Sequence, residues 1–293
     1  MNTIALVTLY NPDENINNRI KLLSEQVSTV FLLDNSPASR CGSLFSSIKN
    51  CTYLFFGENL GLSAAFNRIL KHFSVCKDAD FILFFDQDSC VTKHLIDTLA
   101  KDFMSLSASY TVGCVGPMYF DRTRCIRAGI TKKSTPVGNN CFRSSEVITS
   151  SMITTYQVLE DIGFWDESVF LDYADFELCW RMAKHGYETF VSGNAMLNHS
   201  LGLGILQCHF FFKELTFNYA SPFREYYQTR AAIKLLKRTY IPLNWRRNFI
   251  FNLTIRILLY TLYLPEKVKR LKYFCLGIVH GVLGRNGELK ISC

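Results

Sequence analysis

The sequence is short of charge, of paired cysteines and of long apolar runs. Only 19% of its 293 residues are charged while 48% are hydrophobic, which excludes a chain whose main state is disordered. Its eleven cysteines include no C-x-x-C pair, so neither a disulfide framework nor a four-cysteine zinc site is expected. A chain of this length can bury a substantial core, in one large domain or two modest ones.

The sequence pattern also predicts neither a membrane-spanning helix nor a signal peptide. The longest apolar stretch, residues 248–264, is interrupted by Asn252 and Arg256 and falls short of the roughly 20 residues that a spanning helix needs. The opening residues lack a basic segment and meet Asn11 and Pro12 too soon to resemble a signal peptide. We therefore expect a cytoplasmic protein.

Charge is distributed unevenly along the chain. Residues 1–223 carry a net charge of −4 and residues 224–293 one of +11. The basic residues of the second part alternate with large apolar ones, which favours an anionic membrane surface over nucleic acid as partner. The alternative is that this part only packs on the rest of the protein and leaves a solvated basic face.

Residues 221–293 are predicted to form a basic, amphipathic helical region with breaks at Pro242 and Pro265. Aromatic side chains suit a membrane interface, and the candidates are Tyr226, Tyr227, Trp245 and Tyr260. Lysine and arginine bind anionic headgroups, and the predicted footprint is Arg224, Arg230, Lys234, Lys237, Arg238, Arg246, Arg247, Lys267, Lys269, Arg270 and Lys272.

Residues 1–220 alternate apolar runs with helical patterns. Runs without polar alternation predict strands buried on both faces, namely Ile4–Leu9, Val30–Leu33, Tyr53–Phe56, Phe81–Phe85 and, further on, Val112–Tyr119. Helices are predicted over residues 13–26, 41–49 and 61–74. The alternation predicts an α/β fold with a Rossmann-like, mostly parallel sheet flanked by helices, whose ligand crevice lies at the carboxyl ends of the strands.

An acidic pair, Asp86 and Asp88, follows the fourth apolar run, with Gln87 between its members. Two carboxylates at the crevice could bind a divalent cation that holds a diphosphate. The alternative is a solvated turn that caps the next helix.

A second acidic cluster contains Asp172, Asp175 and Glu177. On a helix, residues three or four apart share a face, so Asp172 and Asp175 could serve catalysis together. The alternative is an acidic first turn that suits the helix dipole, with Glu177 and Arg181 as an i,i+4 pair. Only the catalytic interpretation requires Asp175 to point into the crevice that holds Asp88.

Five motifs follow one another along the chain, namely Asp34-Asn35-Ser36, Asn59 to Asn67, Asp86-Gln87-Asp88, Phe170 to Asp175 and Asn198 to Gly202. Their order resembles that of family 2 inverting glycosyltransferases, and together they most resemble the bacterial rhamnosyltransferases that build O-antigen. The resemblance covers about residues 4–238. The resemblance implies a GT-A fold, in which residues 1–120 bind a nucleotide sugar and residues 121–220 bind the acceptor and supply the base.

The resemblance also implies roles for single residues. Asp34 would recognise the pyrimidine base, and the chain after the first strand would lie beside that base. Asp86 would sit near the ribose. The nucleotide-binding residues implied are Thr8, Tyr10, Asn11, Asp34, Asn35, Asn59, Gly61, Asn67, Asp86 and Gln87.

Catalytic and metal-binding roles follow from the same resemblance. Asp88 would bind Mg²⁺ or Mn²⁺, with His199 as a second ligand or as a structural hydrogen-bonding residue. Asp175 would be the general base. Ala174 stands where many family members have Glu, so Asp172 would either assist the base or shape the acceptor pocket.

The function implied is transfer of L-rhamnose from dTDP-β-L-rhamnose to a polyprenyl-diphosphate-linked oligosaccharide, at the cytoplasmic face of the inner membrane and without nucleic acid. One alternative is another UDP- or dTDP-hexose as donor. The other is a non-catalytic nucleotide- or glycan-binding subunit of an assembly complex, which would bind donor without a metal and release no dTDP.

Overall fold

A computed structural model describes residues 1–38, 44–121, 126–199, 204–210 and 213–289. Its strands are β1 Thr3–Leu9, β2 Thr29–Asp34, β3 Cys51–Phe55, β4 Phe81–Asp86, β5 Val112–Asp121, β6 Ile126–Ala128, β7 Thr135–Gly138, β8 Cys141–Arg143, β9 Met152–Thr154, β10 Glu188–His199, β11 Gly204–Phe210 and β12 Lys213–Tyr219. Its α-helices are α1 Ile16–Ser24, α2 Leu62–His72, α3 Leu95–Ser107, α4 Tyr156–Asp161, α5 Ala174–Lys184, α6 Pro222–Leu235, α7 Leu243–Tyr263 and α8 Lys267–Val282.

A ten-stranded sheet forms the centre of the protein, in the order β3-β2-β1-β4-β9-β5-β10-β8-β7 with β6 paired to β5. Strands β3, β2, β1 and β4 are parallel, as the apolar runs predict. Thr8 is in register with Asp86, and Leu9 with Asp34. The polar residues that follow these strands therefore meet at one edge of the sheet.

The structure differs from the expected local structure at two places. The helix predicted over residues 41–49 is wrong in its described part, because residues 44–47 form turns. The sheet also holds a short strand that the sequence pattern does not reveal, β9, which lies antiparallel between β4 and β5. Three residues are too few to show a periodicity.

The core has a layer on each face of the sheet. Ile4 and Leu6 of β1 face a cluster with α2, α4 and α5, whereas Ala5 and Val7 face a cluster with α1 and α3. Successive side chains of a strand point to opposite faces, so a strand covered on both sides must be apolar throughout. This explains the unbroken apolar runs of the sequence.

The carboxyl-terminal helices are partly built into this core. Ala231 and Leu235 of α6 belong to the same cluster as α2 and α5, and Phe170 stacks on the Tyr227 ring at a centroid distance of 4.6 Å. None of the described helices is both long and apolar enough to cross a bilayer.

The structure corrects the choice of side chains expected at a membrane interface. Tyr226, Tyr227 and Tyr260 are buried, and Trp245 is partly buried and stacks on Phe249. Tyr226 and Tyr227 pack in one cluster with Phe170 and Tyr273, and Tyr260 packs in another with Phe274 of α8. Three members of the predicted basic footprint are buried as well, namely Arg230, Lys234 and Arg270.

Candidate active site

A cavity of about 620 Å³ lies at the carboxyl ends of β1 and β4. The start of α5 forms another part of its wall, and residues of α6 and α7 close it. Ten of the residues predicted for the site line this cavity, namely Thr8, Tyr10, Asn35, Asn59, Gly61, Asp86, Gln87, Asp88, Asp172 and Asp175.

Gln87 joins the ends of β1 and β4. Its Oε1 accepts a hydrogen bond of 2.8 Å from the backbone N–H of Tyr10, and its Nε2 donates one of 3.0 Å to the Tyr10 carbonyl. The side chain thus continues the pairing of the two strands beyond their last residues. Gln87 thereby fixes the backbone between Asp86 and Asp88 against the end of β1.

Asn35 and Gly61 fix the segment that enters α2. The Asn35 side chain accepts from the N–H of Leu60 and donates to the carbonyl of Gly61. The N–H of Leu62 donates to the carbonyl of Phe170 at 2.8 Å. The motif of residues 59–67 is therefore held directly against the segment that leads to Asp175.

Gly61 is required at this contact for two reasons. Its φ is +83° with ψ 172°, a conformation essentially restricted to glycine, and a Cβ would lie 2.5 Å from the Phe170 carbonyl oxygen. We expect Gly61→Ala to lower the free energy of unfolding by about 1–3 kcal/mol from backbone strain, with a further loss from the clash. Urea unfolding measures the change.

Gly163→Ala is the matched control for this prediction. Gly163 also has a positive φ, +80°, but a Cβ there meets nothing within 4 Å. The difference between the two variants reports the clash with Phe170 together with the more restricted backbone conformation of Gly61. Equal losses of stability would show that the close approach of the two segments contributes nothing.

Three predicted nucleotide-binding residues do not line the cavity. Asp34 is buried, and its carboxylate accepts hydrogen bonds from the Ser36 N–H and the Tyr53 hydroxyl. The N–H of Asn11 donates to Ser36 Oγ at 2.8 Å. Base recognition by Asp34 stays a prediction.

Asn67 is occupied in packing α2 against the loop before α5. Its Oδ1 accepts from the N–H of Trp165 at 3.0 Å, and its Nδ2 donates to the Trp165 carbonyl and to Glu167 Oε1. These hydrogen bonds occupy both the oxygen and the nitrogen of the Asn67 side-chain amide. The resemblance to the family had placed this residue in the nucleotide pocket.

The carboxylates of the two acidic clusters influence one another across the cavity. Burial and the negative charges of Asp88 and Asp175 raise the pKa of Asp86 to about 7, while Arg224 acts in the opposite direction. Such an effect requires that the groups lie close together. The two clusters, far apart in the sequence, therefore share one electrostatic environment.

Asp175 lies in the first turn of α5 and is held by the backbone. Its two oxygens accept hydrogen bonds from the N–H groups of Phe176, at 2.9 Å, and Thr149, at 3.2 Å. Burial nevertheless raises its pKa to about 6, against the lowering effect of these bonds. A carboxylate of this kind can take up a proton near neutral pH.

Asp172 and Glu177 have partners of their own. Arg224 of α6 donates to Asp172 from Nε and Nη2, at 3.1 and 2.9 Å, and Asp172 raises the pKa of Arg224. Glu177 is fully buried and forms two hydrogen bonds with Arg181, the i,i+4 pair expected from the sequence. Asp172 thus ties the loop before α5 to α6, and Glu177 is structural.

The predicted metal ligands are placed only in part. Asp88 lines the cavity, and an isolated bridge between Cys90 and Asn198 brings the backbone before His199 next to the acidic pair. The His199 side chain lies outside the described residues. Among the side chains that are described, no group of three or more His, Cys, Asp or Glu is arranged to hold a metal ion.

Two arginines of the cavity wall were not singled out as site residues from the sequence. Arg224 was counted only in the basic footprint, and Arg256 only as an interruption of an apolar stretch. Both line the cavity, from α6 and α7 respectively. No local signal in the sequence separates Arg256 from the other arginines of the basic region.

Fold and site together define a glycosyltransferase of the GT-A type, with a mostly parallel sheet that presents carboxylates and amides at one edge. The sequence profile of glycosyl transferase family 2 matches residues 4–157, so the chain belongs to this family. A relative, the dTDP-rhamnosyl transferase RfbF of Shigella flexneri, is 28% identical over 298 aligned residues, which cover 98% of this chain and 97% of RfbF.

Solved structures of low sequence identity to this chain share its fold. S. aureus TarS superposes with a TM-score of 0.60 at 15% identity, over 97% of this chain and 49% of TarS. GalNAc-T7, solved with UDP, GalNAc and Mn²⁺, gives 0.56 at 11% identity, over 86% of this chain and 54% of that protein. TarS 1-349 in complex with UDP-GlcNAc gives 0.56 at 15% identity, over 97% of this chain and 81% of that one. The chain thus spans about half the length of TarS and GalNAc-T7.

Proposed function

We propose that the protein is a metal-dependent, inverting glycosyltransferase that transfers L-rhamnose from dTDP-β-L-rhamnose to a lipid-linked oligosaccharide in O-antigen synthesis. The observation that carries the proposal is the convergence of Asp86, Asp88 and Asp175 on one cavity. The choice of donor rests on the similarity to RfbF along nearly the full length of both chains.

The nucleotide part of the donor is assigned to the wall formed by the ends of β1 and β2 and the entry to α2. Backbone and amide groups dominate there, through Thr8, Tyr10, Asn35, Asn59 and Gly61. Neutral hydrogen-bonding groups suit a base and ribose. Of the carboxylates that line the cavity, Asp86 would lie near the ribose, and Asp88 and Asp175 near the diphosphate and the sugar.

The carboxylate oxygens of the acidic pair fit a hard divalent cation. Asp86 and Asp88 offer carboxylate oxygens, which Mg²⁺ and Mn²⁺ prefer, and burial together with the negative charges of Asp88 and Asp175 raises the pKa of Asp86 to about 7. Asp88 would hold the ion, with His199 as a candidate second ligand. When bound, such an ion stabilises the negative charge of the departing diphosphate.

Asp175 is proposed to accept the proton of the acceptor hydroxyl. As that oxygen bonds to the anomeric carbon, the bond from this carbon to the diphosphate oxygen breaks and dTDP leaves. A single displacement inverts the configuration, so a β-linked donor gives an α-linked product. The backbone bonds from Phe176 and Thr149 fix the carboxylate for this step.

The experiment that tests the proposal is a donor screen on purified protein with a lipid-linked acceptor fraction. We expect dTDP release from dTDP-rhamnose that depends on Mg²⁺ or Mn²⁺ and stops with EDTA, and an α-linkage by NMR. Turnover of a UDP- or dTDP-hexose in preference to dTDP-rhamnose would overturn the choice of sugar. Donor binding without any release of nucleoside diphosphate would favour a non-catalytic role.

The proposal includes contact with the cytoplasmic face of the inner membrane, where a polyprenyl-diphosphate-linked acceptor would be presented. Ile250, Phe251, Leu258 and Leu262 are exposed on α7, and their spacing places them on one side of the helix. We call these four residues the outer stripe.

The second carboxyl-terminal helix has a similar exposed face. On α8 the apolar residues Val268, Leu271, Val279 and Val282 are exposed at helical spacing. Arg247, Lys267 and Lys272 are exposed on the same two helices. Apolar side chains flanked by basic ones match the chemistry of an anionic bilayer surface.

The double variant Phe251→Asp/Leu258→Asp is expected to abolish flotation of the protein with vesicles that contain phosphatidylglycerol, because it places charge in the outer stripe. Met104→Asp is the matched control, since Met104 is equally exposed but lies on α3. Unchanged flotation of the double variant would contradict the proposed surface. A change from dimer to monomer instead would assign the stripe to a second copy of the chain.

A further inference from the structure

Arg256 extends from α7 toward the cavity, away from the outer stripe. It lines the cavity together with the acidic residues, and at 100° per residue it lies at least about 120° from each residue of the stripe. The two sides of α7 therefore have different surroundings. One side is exposed, and the other contributes a cation to the site.

In the part of the chain that the structure describes, the guanidinium of Arg256 has no carboxylate ion-pair partner, although its side chain forms a hydrogen bond with Tyr173. Its Nε is buried and has no hydrogen-bond acceptor among the described residues. Other buried or partly buried arginines near it are neutralised, Arg224 by Asp172 and Arg270 by Glu225. An unsatisfied buried donor costs free energy, which suggests that its acceptor is a ligand.

The side chains around Arg256 do not neutralise its charge. Burial raises the pKa of Tyr173, Glu225 and Tyr260, and the charge of Arg256 acts in the opposite direction, so these groups lie near it. The Tyr173 and Tyr260 phenols are neutral partners, and Glu225 is already ion-paired with Arg270. Because Glu225 is paired with Arg270, the Arg256 guanidinium is left without a carboxylate partner of its own at the wall of the cavity.

A guanidinium without a carboxylate partner in a substrate cavity favours an anionic ligand. Sugars and the thymine base carry no negative charge at neutral pH, whereas phosphates do. The planar fork of arginine matches phosphate oxygens well. Asp172 prevents Arg224 from serving in the same way unless that ion pair opens.

We propose that Arg256 binds a phosphate group of a substrate in this cavity, either in the diphosphate of the donor or in the lipid diphosphate of the acceptor. The inference rests on the proposed function for the identity of these substrates. Helix α7 would then contribute to substrate binding through Arg256 and to the exposed surface through the outer stripe.

The test measures equilibrium binding of four probes, dTDP and thymidine for the donor, farnesyl diphosphate and farnesol for the acceptor lipid. Arg256→Gln is expected to weaken binding of at least one diphosphate by about 10- to 100-fold, with thymidine and farnesol unaffected. Arg256→Lys should restore part of the affinity because it keeps a positive charge. Loss for dTDP assigns the donor, and loss for farnesyl diphosphate assigns the acceptor.

Controls separate this inference from folding and from the proposed function. Arg68→Gln, on the exposed face of α2, should bind all probes like the wild type, and thermal unfolding reports any loss of fold. Equal affinity of wild type and Arg256→Gln for both diphosphates, or equal losses for the phosphate-free probes, would overturn the role of Arg256. Wild-type protein that binds diphosphates but does not turn over dTDP-rhamnose would overturn the proposed function alone.

Discussion

Replacing Asp175 with Asn is expected to lower kcat by about 10²–10⁴-fold while leaving dTDP affinity nearly unchanged. Asn has the same shape, and its amide oxygen can still accept a backbone hydrogen bond from Phe176 or Thr149, as the carboxylate does. It cannot take the acceptor proton. The measurement is dTDP release at saturating donor, with dTDP binding determined separately.

Asp97→Asn provides the control for position and charge. Asp97 also lies in the first turn of a helix, α3, but is exposed and lies outside the lining of the cavity. It should keep wild-type turnover. Turnover retained in the Asp175 variant would remove this residue from the reaction.

The pH dependence gives a second readout of the same role. Burial raises the pKa of Asp175 to about 6, and a general base acts only when it is deprotonated. We therefore expect kcat to fall tenfold per pH unit as pH drops below about 6. The residual activity of Asp175→Asn should no longer show this fall at low pH. A fall that persists unchanged would assign the pH dependence to another titratable group.

The second large effect is expected for Asp88→Asn. A metal that stabilises a developing negative charge contributes several kcal/mol, so we expect kcat/KM to fall by about 10²-fold or more, with each tenfold equal to 1.36 kcal/mol. The residual rate should no longer respond to EDTA. Initial rates over a series of Mg²⁺ and Mn²⁺ concentrations measure both effects.

Asp78→Asn serves as the comparison for Asp88. Asp78 is exposed in the turn before β4, at the other end of the strand from the acidic pair. Its replacement should leave the metal dependence intact. If the Asp88 variant kept both its rate and its EDTA sensitivity, the acidic pair would not be the metal site.

The site could be predicted where local sequence determines position. Strands β1, β2 and β4 are apolar on both faces, which marks them as parallel and buried, and the residues after parallel strands must meet at one edge. This reasoning, with the ordered motifs, places Thr8, Asn35 and Asp88 in one cavity. It needs no knowledge of side-chain contacts.

Side chains whose partners are distant in sequence could not be assigned in this way. Asn67 belongs to a motif of the site, yet its amide bonds with Trp165 and Glu167. The tyrosines of α6 look suited to an interface, but packing against Phe170 buries them. Arg256 has no local feature that distinguishes it from a surface arginine. In each case the tertiary contact decides the role.

The continuity of α7 has a mechanical consequence. Its 21 residues form one unbroken helix, which is stiff over nearly six turns. If the outer stripe adsorbs to a bilayer as proposed, any displacement of α7 would also displace Arg256 at the cavity. Attachment and turnover would then be coupled, and we expect rates on vesicles to differ from rates in detergent.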